Sequence, residues 1–251
     1  MENDDHTLYP LITIIPARGG SKGIKLKNLQ IVNGLTLVQR ASIAAQSISG
    51  NTTFVSSENL EILKSAESAG ANPIIRPNEL ATDKSSSESV ALHALKTQNI
   101  EGGCLLLIQP TSPFVDTSAI KEAYKILKFN RASVHSIFSC VEGNFFLWEE
   151  QTLNDWEPIN HEKNKRLMRQ DSPRRVLESG SFYMMDIETF VDSESRFCGK
   201  TLPIFTKEWS NFDIDTLENL ELAQKLSANL DPLLEYNHEL VRLRETNELV
   251  R

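Results

Sequence analysis

Apolar and polar positions follow two rhythms through the first 140 or so residues. Leu11 to Ile15 is a short continuous run, apolar but for Thr13 and closed by Pro16, the pattern of a strand buried on both faces. Thr53 to Val55, Pro73 to Ile75, Cys104 to Ile108 and Val134 to Phe138 predict further strands. Between them, apolar residues recur at helical spacing over Leu37 to Ser47, Leu60 to Ala69, Ser87 to Lys96 and Ser118 to Leu127. Strand and helix in strict alternation predict βαβ units, hence an α/β three-layer sandwich with a mostly parallel central sheet. Sites in such sheets form beyond the carboxyl ends of the strands.

The rhythm breaks near Glu142. Residues 144–173 are polar and rich in charge and aromatics, and 142–175 is expected to be an insertion that closes over substrate or contacts a second subunit. Alternation resumes with strands at Ser181 to Met185 and Phe212 to Ile214, then a helix over Leu217 to Leu226. The tail, 231–251, predicts a charged amphipathic helix with Leu233, Tyr236, Leu240 and Leu243 on one stripe; it packs on its own domain or meets a partner. Residues 1–251 are expected to form a single domain.

Charge narrows the choice of partners. The 251 residues carry a formal net charge of -8, which argues against a polyanion-binding surface, so no nucleic acid is expected as partner. An anionic small substrate then needs a local cationic site. Cys104, Cys140 and Cys198 are far apart, and their spacing suggests neither metal ligation nor a disulfide framework. With no apolar run near the length of a membrane span and an acidic, polar start, the chain is expected to be soluble and cytoplasmic.

The cationic site announces itself after the first strand, in Ala17-Arg18-Gly19-Gly20-Ser21-Lys22-Gly23-Ile24-Lys25-Leu26-Lys27-Asn28. Its glycines let backbone approach a ligand, and Arg18, Lys22, Lys25 and Lys27 gather positive charge with no acid among them. A triphosphate cradle fits; so does a solvated loop. The sequence is neither a Walker A loop nor a dinucleotide fingerprint.

Asp213-Ile214-Asp215 would project both carboxylates from one face of a strand with Ile214 inward, a pair suited to Mg²⁺. Alternatively, Asp215 and Thr216 begin and cap the next helix. Gln109-Pro110-Thr111-Ser112-Pro113 is a rigid turn where an amide and hydroxyls can read a ligand. Between Arg76-Pro77 and the following helix, Ser85 with Glu88 fits a capping box, and Ser85, Ser86 and Ser87 also suit ligand contact. Arg166, Arg169 and Gln170 lie in the irregular segment, where arginines pair with carboxylate or phosphate.

In this order, the motifs resemble those of the CMP-sialic acid synthetases, the N-acylneuraminate cytidylyltransferases, from about Leu11 to Leu226. Ala17 to Asn28 is similar to the family's nucleotide motif, Gln109 to Pro113 and Asp213 to Thr216 to two further motifs, and Ser179-Gly180-Ser181-Phe182-Tyr183 to the sugar-pocket segment of animal-type members. The resemblance implies a nucleotide-diphospho-sugar transferase-like fold and the joining of a sialic acid to CMP from CTP, with Mg²⁺ and a homodimer. It gives CTP phosphates to Arg18, Ser21, Lys27 and Asn28, with Lys27 near the reacting phosphorus. Cytidine falls to Arg76, Ser85 and Ser87, and the sugar or nucleotide to Gln109. Asp213 and Asp215 would hold the metal, and Arg166, Arg169 and Gln170 would close over the substrates across the dimer.

Three positions depart from the pattern. Val115 and the stretch Leu177 to Gly180 lack arginines typical of bacterial members, which points to the animal-type subgroup, and Met168 stands where the arginine-rich segment carries a cation. The phosphatase-like domain often found in animal-type members is not expected within this length. Rival readings are a cytidylyltransferase for another nonulosonic acid, a metal-dependent glycosyltransferase using the Asp-x-Asp pair, and a nucleotide-binding regulator without chemistry.

Overall fold

A computed structural model describes residues 9–231 and 233. The helix expected over the tail lies outside the described residues.

Three parallel strands, β1 (Leu11–Pro16), β4 (Asn51–Ser57) and β5 (Asn72–Ile75), form one half of the central sheet. The short hairpin β2 (Ile31–Val32) and β3 (Leu35–Thr36) precedes helix α1 (Leu37–Gln46), and α2 (Leu60–Ser68) joins β4 to β5. Helix α3 (Ser87–Thr97) then carries the chain across to β6 (Cys104–Ile108), which pairs with the other side of β1. Helix α4 (Thr117–Asn130) leads to β7 (Ser136–Glu142), and a separate hairpin follows, β8 (Trp148–Thr152) with β9 (Asp155–Pro158). Strand β10 (Val176–Asp186) enters between β6 and β7 and runs antiparallel to both. After α5 (Ile187–Ser193), β11 (Thr201–Phe205) takes the edge beside β7, and α6 (Leu217–Ser227) closes the described fold. The seven strands lie in the order β11-β7-β10-β6-β1-β4-β5.

The core explains the apolar runs. Along β1, Leu11 and Ile15 pack with α1 and α2 residues such as Val38 and Ile62 on one face, while Ile12 and Ile14 pack with Leu95 of α3 and Phe190 of α5 on the other. A strand covered twice must be apolar at successive positions. A third cluster joins Ile24, Leu37, Phe114, Ile214 and Leu220, so the loop after β1, the turn after β6 and the start of α6 share one apolar floor.

That floor is tied down by Arg40 of α1, fully buried. Its guanidinium donates to both carboxylate oxygens of Asp231 at 3.0 and 2.7 Å, to the Val32 carbonyl at 3.2 Å and to the Pro113 carbonyl at 3.0 Å.

Several expectations need correction. Phe212 to Ile214 is no strand: it is extended chain outside the sheet, held by the Ile214 amide on the Thr111 carbonyl at 2.9 Å. The strand expected at Val134 begins at Ser136 and runs to Glu142. Helix α3 is capped by Ser86, whose hydroxyl accepts from the Ser89 amide at 3.1 Å, and not by Ser85 with Glu88. Thr216, through a capping box with Asn219, begins α6, which leaves the Asp215 carboxylate free of that duty.

Candidate active site

β1 stands between β4, which follows it in the chain, and β6, which is reached only after the crossover through α3. This reversal of winding opens a crevice beyond the carboxyl ends of β1 and β6, where ligands of doubly wound sheets bind. A cleft of about 350 Å³ occupies it. Three separate stretches line it: Arg18, Ser21, Lys22, Gly23, Lys27 and Asn28 after β1; Arg76, Asp83, Ser85, Ser86 and Ser87 before and at the start of α3; and Gln109, Pro110 and Thr111 after β6. Asp215 completes the wall.

The cations of the first stretch are already matched with acids. Arg18 donates to Asp83 at 2.6 Å and Lys22 meets the other oxygen of the same carboxylate at 2.7 Å. Those two hydrogen bonds hold the Asp83 carboxyl below its ordinary value. Lys27 donates to the Ile214 carbonyl at 2.8 Å and to Asp215 at 3.0 Å. Its side chain is 15% exposed against 72% for Asp215, so the ammonium is buried in the wall while the carboxylate looks outward. The glycine turn and the Asp-Ile-Asp segment are thus one structure. Gly23 shows why: a Cβ there would run into the Asp215 carbonyl oxygen.

The Asp-x-Asp geometry survives the loss of the strand. Ile214 is fully buried and both acids are exposed, the alternation of extended chain. Asp213 has a carboxyl raised above its ordinary value. Crowding by surrounding protein atoms is the main cause, and repulsion from Asp215 adds to it, against lowering by the Thr111 hydroxyl and Lys27. Two hard oxygen donors that repel each other suit a divalent cation. Among the described residues no group of three or more His, Cys, Asp or Glu side chains could hold a metal, so such an ion would complete its shell from phosphate oxygens and water.

The remaining sequence-derived residues divide into two sets. Arg76 is buried beside the cleft, donating to Ser56 Oγ at 3.2 Å and to the Ser56 carbonyl at 2.6 Å. Gln109 Nε2 donates to Ser87 Oγ at 3.2 Å, which binds the second and third stretches together. Asn28 is 4% exposed; its Nδ2 donates to the Arg18 carbonyl and its Oδ1 is buried with no hydrogen-bond partner, an acceptor that calls for a donor. Arg166, Arg169 and Gln170, by contrast, do not line the cleft. All three are exposed on the segment after β9, with the Arg166 guanidinium 4.1 Å from the Phe146 ring centroid. Ser179 and Ser181 are buried on Ser139 and brace the β10 bulge.

Sequence reasoning missed Glu58, whose Oε1 accepts from the Gly19 amide at 2.7 Å, and the pairing role of Asp83. Both acids sit after β4 or before α3, far from the glycine turn in sequence, and the parallel pairing of β1, β4 and β5 brings them to it.

The cytidylyltransferase family model matches residues 12–245. The chain belongs to the cytidylyltransferase family. An N-acylneuraminate cytidylyltransferase of Escherichia coli O18:K1:H7 is 29% identical over 215 residues, 85% of this chain and 51% of that protein. N-acylneuraminate cytidylyltransferase A of Danio rerio is 32% identical over 236 residues, covering 92% and 54% of the two chains. This cytidylyltransferase therefore spans about half the length of these curated relatives. Among solved structures, a CMP:2-keto-3-deoxy-manno-octonic acid synthetase complexed with CTP superposes with a TM-score of 0.66 at 15% identity, covering 87% of this chain and 98% of that one. At that identity the likeness concerns the fold, which is the expected α/β sandwich. Among the described residues no helix is long and apolar enough to cross a membrane.

Proposed function

We propose that this cytidylyltransferase activates a sialic acid with CTP. The anomeric hydroxyl attacks the α-phosphorus; the new sugar oxygen–phosphorus bond forms as the bond to the β-phosphate oxygen breaks. Pyrophosphate leaves, and the hydroxyl proton is lost to solvent or to a cleft base. The observation that carries the reading is the convergence of Arg18, Lys22 and Lys27 on a cleft whose wall also holds Asp215, paired with Lys27.

Arg18, Ser21 and Lys22 would take the β- and γ-phosphates, Arg18 and Lys22 exchanging Asp83 for phosphate oxygens. Lys27, fixed by the Ile214 carbonyl, would stabilise charge near the reacting phosphorus. Asp213 and Asp215 would hold Mg²⁺ or another divalent cation, which when bound screens the charge of the departing pyrophosphate. Arg76, Ser85 and Ser87 would contact the cytidine, and Gln109 the sugar or nucleotide. The free Oδ1 of Asn28 suits a donor such as a ribose hydroxyl better than a phosphate, which moves this residue from the phosphates to the nucleoside. Catalysis of this kind rests on alignment and charge, with no covalent intermediate on the protein.

The insertion 142–175 would serve a homodimer, with Arg166, Arg169 and Gln170 reaching the cleft of a second copy. Support comes from apolar side chains that the hairpin leaves in solvent, Trp148 at 45%, Trp156 at 50% and Leu153 at 89% exposure.

The test is pyrophosphate release from CTP with Mg²⁺ and N-acetylneuraminic acid, beside a panel of other nonulosonic acids. Acceptor-dependent release is expected, greatest with a sialic acid. Preference for another acceptor would shift the substrate within the family, and CTP binding without release on any acceptor would overturn the proposal. In the same assay Gly23→Ala should lower kcat/KM by about 10–100-fold, because the added methyl displaces the lysine turn from Asp215 and small misplacements at a reacting centre are costly.

A further inference from the structure

Glu88 lies in the first turn of α3, next to the Ser87 that lines the cleft and beyond the Ser86 that caps the helix. It receives Arg196 from the loop between α5 and β11: Nε donates to one carboxylate oxygen at 2.5 Å and NH2 to the other at 3.0 Å. The pair spans 108 residues of sequence and is largely withdrawn from water, with side-chain exposures of 17% and 19%. The guanidinium also lies over the Tyr183 ring, 4.4 Å from its centroid, and the Tyr183 hydroxyl donates to Glu178. Phe197 packs edge-on against both Tyr183 and Phe138, fixing the ring from the other side.

This chain of contacts joins the cleft wall to a strand of the sheet. One end is the serine row before α3, which Gln109 also touches through Ser87. The other is the leading half of β10, whose antiparallel course puts Glu178 at the same end of the sheet as Gln109: the Gln109 amide donates to the Ser181 carbonyl at 3.0 Å. A bidentate, stacked arginine is a stiff connector, and lysine is no substitute for it. The protonation states agree with a permanent pair. Burial would raise the Glu88 carboxyl, but Arg196, together with the Glu88 amide and the Ser86 hydroxyl, holds it below its ordinary value, while burial and then Glu178 push Tyr183 up to about 12.

We infer that Glu88 and Arg196 are positioning residues that hold the nucleotide wall at Ser87 and Gln109 in register with the leading half of β10, through Tyr183 and Glu178, and so align the acceptor sugar with the bound nucleotide. This inference rests on the proposed transfer to a nonulosonic acid. The test compares wild type, Glu88→Gln, Arg196→Gln, the double variant and Arg196→Lys at temperatures well below each melting point. CTP dissociation constants are read by calorimetry, and kcat and acceptor KM by pyrophosphate release at saturating CTP. Each glutamine variant should lose about 10–30-fold in kcat over acceptor KM with CTP affinity within about threefold of wild type, the size expected when orientation and not binding is disturbed. The double variant should be no worse than either single one, and Arg196→Lys should recover only part of the loss.

Unchanged acceptor kinetics, or losses in CTP affinity that match those in turnover, would overturn the inference. The first outcome would leave the pair purely structural, and the second would confine it to the nucleotide wall. A wild-type protein that binds CTP and uses no acceptor sinks the proposed function, and this inference with it, before any variant is compared.

Discussion

Lys27→Ala is expected to reduce turnover with CTP and a sialic acid by about 10²–10³-fold, the usual cost of deleting a preorganised group that meets developing charge. The ammonium is held in place by two oxygen acceptors and is mostly shielded from water, so it needs no reorganisation when the reaction begins. Ground-state affinity should suffer less, because Arg18 and Lys22 remain to hold the triphosphate. The measurement is kcat from pyrophosphate release, with CTP affinity taken separately and the melting temperature as a control. Because Lys27 also braces Asp215, titrating the divalent ion against the variant separates loss of charge from loss of the metal pair. A variant whose kcat stays within a few-fold of wild type at saturating metal would remove Lys27 from the chemistry.

The second large effect is on stability. Asp231→Leu is expected to destabilise the fold by about 3–5 kcal/mol, since it takes the carboxylate away from a guanidinium that stays buried. Arg40 would keep the carbonyls of Val32 and Pro113, which satisfy hydrogens but do not neutralise charge. Urea denaturation followed by far-ultraviolet circular dichroism measures this through the midpoint shift. The double variant Arg40→Met with Asp231→Leu should regain most of the loss, because a well-packed apolar pair costs less than half an ion pair.

The same residue gives a pH signature. Burial would raise the Asp231 carboxyl, but Arg40 and Asn33 outweigh it, so the folded-state value lies below the ordinary 3.8. A depressed folded value means the contribution is complete above the unfolded value and disappears as pH falls through the folded one. Wild type should therefore lose stability on the acid side of the carboxylate range, and Asp231→Asn should show a shallower loss there. Equal slopes for the two proteins would contradict this account.

How much of this was legible beforehand depends on which forces left a mark in the local sequence. β1 and β6 were plain because a strand covered by helices on both faces is apolar at nearly every step. β8 carries no such mark: all five residues are exposed, so no alternation exists to be seen. β11 was hidden by Pro203 and by lying at an edge, where only Ile204 is buried. Phe212 to Ile214 misled for the opposite reason, because a single buried isoleucine between exposed acids imitates a strand whether or not the chain finds a neighbour to pair with.

The site divides the same way. The cations after β1 sit within ten residues of one another and could be recognised as a group. Glu58, Asp83 and Arg196 could not, since each acts on a residue brought near only by the pairing of distant strands. The capping misassignment at Ser85 and Glu88 belongs here too. Locally the spacing satisfies a cap, and the distant arginine that claims Glu88 leaves no trace nearby.

β10 runs against its neighbours and slips register between Glu178 and Tyr183. Downstream of the slip, Phe182 to Asp186 are locked opposite β6; upstream, Val176 to Glu178 answer only to β7. Drift in those first few positions can therefore reshape the chain leading to Gln109 while the pairing behind it stays fixed. A scaffold arranged this way can vary at that margin through a handful of substitutions, without refounding its interior.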